Sequence, residues 1–323
     1  MSTATSLEVT HRPLDQRSAG QRVEVLDDVC SASFKMNTRY VIITPVRDEE
    51  KHVRHTLDSM AEQTVLPVEW VIVNDGSTDN TGAILDDYAS RHTWIHPLHR
   101  RNRGFRKSGG GVVEAFDDGL TTLATRNWDF LVKLDGDLTF QPDYFEKCFE
   151  HFASDPQLGV GGGVICHVLN GERKVEQCPK FHVRGATKIY RRECWDGIGG
   201  FWPAPGWDTL DEVKANMLGW TSRSFPDLEL EHHRLTGSAD GAWKGTVKNG
   251  RANYISGYHP AFMFVKCLSR FARRPFGASA FALAYGYISG FLGKIPQVND
   301  PQLIRYLRAE QMKRLRGSET IWR

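Results

Sequence analysis

Residues 70–79 read WVIVNDGSTD, an apolar run that ends in a polar turn containing glycine. The β-branched residues predict a buried strand, and Asn-Asp-Gly-Ser predicts the turn that ends it. The same arrangement occurs upstream, where residues 40–45 read YVIITP and end at a proline. Between the two runs, Val53, Leu57 and Met60 recur at helical spacing. The segment therefore predicts a strand, a helix and a second strand.

This alternation continues along the chain. The pattern predicts helices at about 80–91, 112–125 and 142–153 and a further strand at 130–134. The glycines at 161–163 indicate close packing of backbones. Strands that alternate with helices predict an α/β fold with a mostly parallel sheet and helices on both faces. In such a sheet the ligand site lies at the carboxyl ends of the strands.

The composition is that of a globular protein, with 323 residues of which 40% are hydrophobic and 25% charged. It excludes wholesale disorder and a collagen-like or disulfide-knot scaffold. The six cysteines form no C-x-x-C pair, so we expect reduced thiols rather than a zinc ribbon or a redox motif. Residues 1–38 have no secretory signal pattern, and no apolar stretch reaches the length of a membrane span. We therefore expect a cytoplasmic protein.

The pattern predicts three segments: an N-terminal arm at 1–38, a catalytic domain at 39–257 and a C-terminal helical appendage at 258–323. The net charge is +2, but residues 266–323 contain eleven Lys or Arg against three acids. Basic residues beside apolar helices are typical of peripheral contact with an anionic membrane. A helix packed on the core, or an oligomer contact, is the alternative, and the oligomeric state is left open. The acidic core disfavours nucleic-acid binding.

Acidic residues follow two of the predicted strands. Asp135-Gly136-Asp137 comes directly after strand 130–134, and Asp75 comes after strand 70–73. Two carboxylates at a strand end suit a divalent cation, Mn²⁺ or Mg²⁺, that binds a substrate diphosphate. An Asp-Gly turn with only a structural role is the alternative. Because both acidic turns open at the same edge of the sheet, a metal site is favoured.

Four motifs in this order resemble the inverting family-2 glycosyltransferases of the GT-A fold, of the bacterial cell-surface or exopolysaccharide type. They are ITPVRDEE at 43–50, VNDGSTDNT at 73–81, NRGFRKSGGGVVEAFDDG at 102–119 and KLDGD at 133–137. The resemblance covers roughly residues 38–240. It implies a nucleotide-sugar donor, with Asp135 and Asp137 holding the ribose and the metal-bound diphosphate. It also implies nucleotide contacts for the residues of the first acidic loops, namely Pro45, Arg47, Glu49, Asp75 and Asp79.

A glycine run at 109–111 precedes a predicted helix, but no strand comes directly before it and the G-x-G-x-x-G spacing is absent. This disfavours a Rossmann oxidoreductase. The amides of the run, together with Arg103, Arg106 and Lys107, are suited to attract a phosphate at the helix N-terminus. A solvated basic loop is the alternative.

Residues 206–212 read GWDTLDE and resemble the acceptor-side segment in which the family places its catalytic carboxylate at a helix start. The usual Glu-Asp is replaced here by Trp-Asp-x-x-Asp-Glu. Asp208, Asp211 and Glu212 therefore all remain candidates for the base, and we favour Asp211. Alternatively, Asp208 caps the helix and Asp211 lies near its third position.

His232-His233-Arg234 follows a strand-like run. Neighbouring residues of a strand point to opposite faces, so at most one histidine faces the metal. The resemblance implies a histidine ligand of the metal or diphosphate at this place, and Arg234 suits neutralisation of the leaving group. A structural histidine is the alternative.

The function expected from these patterns is metal-dependent, inverting transfer of a sugar from a nucleotide-sugar donor to a hydroxyl acceptor. The acceptor would be a sugar or a lipid-linked sugar in polysaccharide or glycolipid biosynthesis, at the inner face of the membrane. One alternative is a nucleotidyltransferase, which would release pyrophosphate instead of a nucleoside diphosphate. Another is a catalytically silent nucleotide-sugar sensor or scaffold, which would need Asp75 and Asp137 but not Asp211.

Overall fold

The computed structural model describes residues 38–105, 110–169, 171–234, 241–271 and 277–322. Its strands are β1 Tyr40–Val46, β2 Glu69–Asn74, β3 Ile95–His99, β4 Phe130–Leu134, β5 Leu138–Thr139, β6 Leu158–Leu169, β7 Glu172–Val175, β8 Thr187–Arg191 and β9 Thr221–His232. Its helices are α1 Val53–Ala61, α2 Thr81–Arg91, α3 Gly110–Thr122, α4 Tyr144–Ser154, α5 Arg192–Ile198, α6 Trp207–Met217, α7 Gly241–Ile255, α8 Pro260–Phe271, α9 Ala278–Leu292 and α10 Pro301–Leu315.

One sheet organises the described strands. β1 lies between β2 and β4 and is parallel to both, and β3 continues the parallel block beyond β2. β8 pairs antiparallel with β4, and the sheet then continues through β6 and β9 to β5, with β7 beside β6. The strands and helices predicted for the first 154 residues are observed with small shifts at their ends. The predicted α/β fold is confirmed.

The position of the ligand crevice follows from this strand order. Because β1, β2 and β4 are parallel neighbours, the loops that follow them all leave the sheet at the same edge. The segments after β1 and β4 meet there, where the Thr56 hydroxyl of α1 donates to the carbonyl of Leu138. The carboxyl ends of these three strands therefore border a crevice. Asp75 and Asp135 are the first residues after β2 and β4, so both lie at this edge.

Glycines in β6 allow close packing, as predicted. A Cβ on Gly161 would lie 2.5 Å from the Phe225 ring, and one on Gly163 would lie 2.4 Å from the carbonyl oxygen of Leu228. β6 and β9 thus come close together, and β9 extends to the edge where its last residue pairs with β5.

Helix α6 contributes to two hydrophobic cores. Trp207 and Ala215 pack in the core formed by the sheet and α3. Leu210 and Val213 pack with the C-terminal helices, including Leu283 of α9. The boundary predicted near Gly257 falls between α7 and α8 and stays a prediction. No helix within the described ranges has the length and apolarity needed to cross a bilayer.

Glycine contacts fix the packing of α7 on α9. A Cβ on Gly250 would lie 2.1 Å from the Leu283 carbonyl oxygen, and one on Gly286 would lie 2.1 Å from the Val247 carbonyl oxygen. Gly245 is on the same helix α7, but a Cβ there would meet no atom within 4 Å. An alanine at Gly250 therefore tests both helix packing and helix propensity, whereas an alanine at Gly245 tests helix propensity alone.

We expect Gly250→Ala to lower the free energy of unfolding by about 1–3 kcal/mol, because the added methyl forces the two backbones apart. Gly245→Ala, the matched control, should raise it by up to about 1 kcal/mol, since alanine favours helix over glycine. Urea denaturation of both variants measures the difference. Equal stabilisation by the two substitutions would contradict the described contact.

Candidate active site

The Asp-Gly-Asp turn after β4 packs directly against the end of β1. A Cβ on Gly136 would lie 2.4 Å from the Cγ1 of Val46, so only glycine fits between the two aspartates. Asp135 donates its backbone N–H to the carbonyl of Ala186 at 2.8 Å, which fixes the turn to the start of β8. Asp137 and Asp135 are thereby held together at the crevice.

Asp135, Asp137 and His232 form the candidate metal site. One ligand atom from each residue lies within 4.8 Å of the other two. β9 pairs with β5 so that His232 stands opposite Leu138, next to the acidic turn. Two carboxylate oxygens and an imidazole nitrogen are donors that a divalent cation such as Mn²⁺ accepts. The donor chemistry therefore fits a divalent metal.

Two further observations support this fit. The buried Nδ1 of His232 has no hydrogen-bond partner among the described residues, and its Nε2 lies 3.1 Å from an oxygen of Asp137. Burial raises the pKa of Asp135 despite the attraction of Lys133. Burial would also raise the pKa of Asp137, but the hydrogen bond and charge of His232 outweigh it and lower that pKa. The cluster thus contains a buried nitrogen, Nδ1 of His232, that no contact among the described residues satisfies.

The two adjacent histidines face opposite sides of β9. His233 lies beside Thr139, with its Nε2 2.7 Å from the threonine hydroxyl, and stacks on His55 of α1 with ring centroids 4.4 Å apart. Burial, and then the positive charge of His55, lower the pKa of His233. His232 alone of the pair therefore belongs to the Asp135–Asp137 cluster.

Arg234 lies between the first acidic loop and this cluster. Its Nη2 donates to Glu49 at 2.5 Å, and its Nε is 4.0 Å from an oxygen of Asp137. The guanidinium is about one-third exposed, so it can be reached from the crevice. This placement suits contact with an anionic group bound near Asp137.

Arginines surround Asp75. Arg100 and Arg103 donate to its carboxylate at 2.7 and 2.5 Å, and Arg47 lies 4.0 Å away. Arg47 also donates to the side chain of Asn102 and the carbonyl of Phe105, which connects the ends of β1 and β3. Pro45 lies beside them, half-buried near the end of β1. Arg106 and Lys107, predicted to bind phosphate, lie outside the described residues.

Asp79 has a local role in this structure. One of its oxygens accepts from the backbone and hydroxyl of Thr81, and the other accepts from the backbone of Glu50 at 3.1 Å. Burial opposes ionisation, but these hydrogen bonds outweigh it and lower the pKa of Asp79. The carboxylate therefore ties the loop after β1 to the start of α2.

The three candidate bases on α6 differ in accessibility. Asp211 and Glu212 are 1% and 0% exposed, whereas Asp208 is half-buried. The capping interpretation of Asp208 is wrong, since α6 begins at Trp207, its N-cap is Gly206 and no side chain caps it. Asp208 is therefore the most exposed of the three candidates.

A buried lysine holds the other two acids. Lys188 of β8 is fully buried and lies 2.8 Å from Asp211 and 2.9 Å from Glu212. Tyr190 also donates to Asp211, and burial raises the pKa of that carboxyl to about 6 although Lys188 opposes the shift. Glu212 further accepts from the backbone of Val183 at 2.7 Å. Lys188, Asp211 and Glu212 are thus hydrogen-bonded or ion-paired to other groups of the protein.

Two lysines that sequence reasoning missed link the metal cluster to α6. Lys133 bonds to Asp135 and to the carbonyl of Gly185, and its Nζ lies 5.7 Å from the centre of the Trp207 ring, with Lys188 5.8 Å from the same centre. A Cβ on Gly185 would lie 3.3 Å from the Cβ of Asp208. A single backbone segment therefore separates Asp208 from the residues that hold Asp135. The sequence signal for Lys133 was a lysine inside the otherwise apolar strand FLVKL at 130–134.

The sequence profile described as Glycosyl transferase family 2 matches residues 41–203, half of the chain. The chain belongs to this family. The family predicted from the resemblance of its motifs is thereby confirmed. The matched range includes β1 to β8 and both acidic turns at the crevice.

Two curated proteins are similar to this chain over part of its length. The chain is 45% identical over 203 residues to 4,4'-diaponeurosporenoate glycosyltransferase of Staphylococcus aureus, which covers 57% of this chain and 52% of that protein. It is 27% identical over 198 residues to the glycosyltransferase EpsH of Bacillus subtilis, covering 59% and 52%. The chain therefore spans about half the length of these relatives.

Solved structures of glycosyltransferases share the fold. A mannosyltransferase from Pyrobaculum calidifontis, in complex with GDP-Man and Mn²⁺, matches 94% of this chain and 86% of its own with a TM-score of 0.52 and 15% identity. GalNAc-T7 with UDP, GalNAc and Mn²⁺ matches 79% and 54% with a TM-score of 0.53 and 13% identity. The GT-A fold predicted for this family member is confirmed.

We expect Lys188→Met to lower the free energy of unfolding by about 3–5 kcal/mol, because two buried carboxylates lose their cation. Lys214→Met is the matched control, since Lys214 pairs with Asp300 at 2.5 Å but is partly exposed. It should cost about 1 kcal/mol or less. Chemical denaturation gives both values, and similar losses in the two variants would contradict the role assigned to Lys188.

Proposed function

We propose that this enzyme is a metal-dependent, inverting transferase that moves a sugar from a nucleotide-sugar donor to a hydroxyl acceptor. The observation that carries the proposal is the cluster of Asp135, Asp137 and His232 at the crevice, with the accessible Asp208 beyond Gly185. The cluster of two aspartates and a histidine suits a diphosphate with its cation, and the carboxylate of Asp208 suits an acceptor hydroxyl. The two substrates would meet between them.

The donor would bind along the edge from β2 to β4. The nucleoside would contact the loops that contain Pro45, Arg47, Glu49, Asp75 and Asp79, with Arg106 and Lys107 near the phosphates. Asp135 would also hold the ribose. Support comes from the two solved neighbours, one of which is a complex with GDP-Man and the other a complex with UDP and GalNAc, each with Mn²⁺. A bound divalent cation would offset the charge of the diphosphate.

We assign the base to Asp208 rather than to Asp211 or Glu212. A base must reach the proton it removes, and Asp211 and Glu212 are buried with Lys188 between them. Asp208 is partly exposed and adjoins the segment behind Asp135. Asp211 and Glu212 would then fix the helix that presents Asp208.

The reaction would be a single displacement. The acceptor oxygen forms a bond to the anomeric carbon while the bond from that carbon to the diphosphate oxygen breaks, and Asp208 takes the hydroxyl proton. Arg234 is placed to stabilise the negative charge of the departing nucleoside diphosphate. One direct displacement inverts the configuration of the sugar. The acceptor would be a hydroxyl of a sugar or of a lipid-linked sugar.

We expect His232→Ala to weaken Mn²⁺ binding by about tenfold or more, because an imidazole ligand is lost. His233→Ala is the matched control, since His233 packs on His55 instead. Calorimetric titration with Mn²⁺ alone, and then with UDP or GDP in the presence of Mn²⁺, measures the effect. If both variants bind Mn²⁺ as the unaltered chain does, the histidine is not a ligand.

We expect turnover of a nucleotide-sugar to release a nucleoside diphosphate, and Asp208→Asn to lower that turnover by about 10²-fold or more with donor affinity unchanged. A panel of UDP- and GDP-sugars is screened first for slow donor hydrolysis. Release of pyrophosphate would favour a nucleotidyltransferase, and binding without turnover of any donor would favour a sensor or scaffold.

Asp211→Asn is the comparison for this test. It should reduce stability, because Lys188 loses a partner, while the folded fraction keeps its turnover within about tenfold. A larger loss of turnover in Asp211→Asn than in Asp208→Asn, at equal folded fraction, would return the role of base to Asp211.

A further inference from the structure

Helices α7, α8 and α9 expose apolar side chains. Of the fifteen large hydrophobic side chains that are exposed in the described residues, ten lie on these three helices, with exposed fractions from 44% to 74%. We call them the C-terminal apolar surface: Trp243, Phe264, Val265, Leu268, Phe271, Phe281, Tyr285, Ile288, Phe291 and Leu292. Soluble monomers seldom leave so many apolar groups together in water.

The spacing of these residues places them on continuous helix faces. On α8 the exposed residues Phe264, Leu268 and Phe271 are separated by four and then three positions, which is one side of a helix. On α9 the exposed face runs from Phe281 through Ile288 with the same spacing. The two faces meet where the rings of Phe271 and Phe281 lie 5.9 Å apart.

Backbone contacts hold these helices in place. The contacts of Gly250 with Leu283 and of Gly286 with Val247 pack α7 against α9, and Gly290 packs against Tyr254. The opposite side of the helices is buried in the core that includes Leu283 and Met263. The apolar residues are thus exposed because their helices are fixed with the other face inward.

The charge around this surface has one sign. Residues 241–299 contain eight Lys or Arg and no Asp or Glu. Lys244, Lys248 and Lys294 are exposed beside the apolar residues. Burial, together with the charges of Arg270 and Arg314, lowers the pKa of Lys266 to about 8. Two arginines thus lie close enough to Lys266 to disfavour its charged form.

We propose that the C-terminal apolar surface docks the enzyme on the face of an anionic lipid bilayer. Apolar and aromatic side chains enter the boundary between headgroups and acyl chains, and the lysines attract the negative headgroups. A second copy of this chain would bring equal positive charges together, which disfavours self-association through the same surface. The proposal concerns where the enzyme works and holds for any donor sugar.

Vesicle co-sedimentation of the full chain tests the proposal. We expect binding to vesicles of phosphatidylcholine with phosphatidylglycerol at ~50 mM NaCl, weaker binding at ~500 mM, and little binding to phosphatidylcholine alone. The variant Lys244→Glu, Lys248→Glu, Lys294→Glu should bind at least about 100-fold more weakly, because each basic residue near the surface contributes about fivefold and the three losses multiply. The variant Phe264→Ser, Tyr285→Ser, Ile288→Ser should also lose binding.

Matched controls change the same number of charges or apolar groups elsewhere. They are Arg126→Glu, Lys147→Glu, Lys174→Glu for charge, and Leu66→Ser, Val175→Ser, Leu218→Ser for apolar exposure, all at exposed positions. Both controls should bind vesicles within about twofold of the unaltered chain. Circular dichroism verifies that each variant is folded, and donor hydrolysis in solution should be unchanged by all of them.

The proposal is overturned if the full chain stays in the supernatant with anionic vesicles at low salt, or if surface and control variants lose binding equally. Concentration-dependent dimerisation that the apolar variant abolishes, without vesicle binding, would assign the surface to a second copy. Vesicle binding in a chain without sugar transfer would support the docking surface and count against the proposed function alone.

Discussion

Negative charge concentrated at one edge of the sheet is the constraint on which the rest of this structure depends. Carboxylates follow β2 and β4 and occur on α6, and burial of each unpaired ion would cost several kcal/mol. The chain places a basic side chain against five of them, and all of these partners except Lys133 come from distant parts of the sequence. The pairs are Asp75 with Arg100 and Arg103, Asp135 with Lys133, Asp137 with His232, and Asp211 and Glu212 with Lys188.

These pairs are of two kinds. Around Lys188 the groups are dry and bonded to one another, so that the network has a structural role under Trp207. Around Asp137 the partners are partly exposed, and His232 retains a buried nitrogen without a partner among the described residues. The first arrangement is complete without a ligand, whereas the second has capacity for one. The Lys188 network therefore stabilises the fold, whereas the Asp137 cluster at the same edge of the sheet is the one suited to bind a ligand.

Much of the fold and part of the candidate site follow from local pattern. Strands β1, β2 and β4 were predictable because β-branched runs end in polar turns, and the edge with Asp75 and Asp135 follows from parallel topology. β3 was missed, since its sequence, IHPLH, lacks that pattern. The alternation of side chains along a strand predicted that at most one histidine of the pair would face the metal, and His232 is the one that lies beside Asp137. Which of the three acids on α6 are buried was not predictable, because the spacing of residues along a helix does not tell how far each side chain lies from solvent. Lys188 was missed for a related reason, since Asp211 and Glu212 become its neighbours only after folding. The same holds for the Gly185 carbonyl that Lys133 bonds in addition to the nearby Asp135.

Helix α6 has a consequence for how this protein can be divided. Trp207 packs against the sheet core on one side, while Leu210 and Val213 pack against α7 to α10 on the other. A fragment that stopped after Gly257 would retain α7 but remove α8 to α10 from that second side, together with the bond from Lys214 to Asp300. Leu210 and Val213 would then lose much of their apolar cover. An expression fragment or a crystallisation target that keeps α6 in its native packing therefore needs the terminal helices as well.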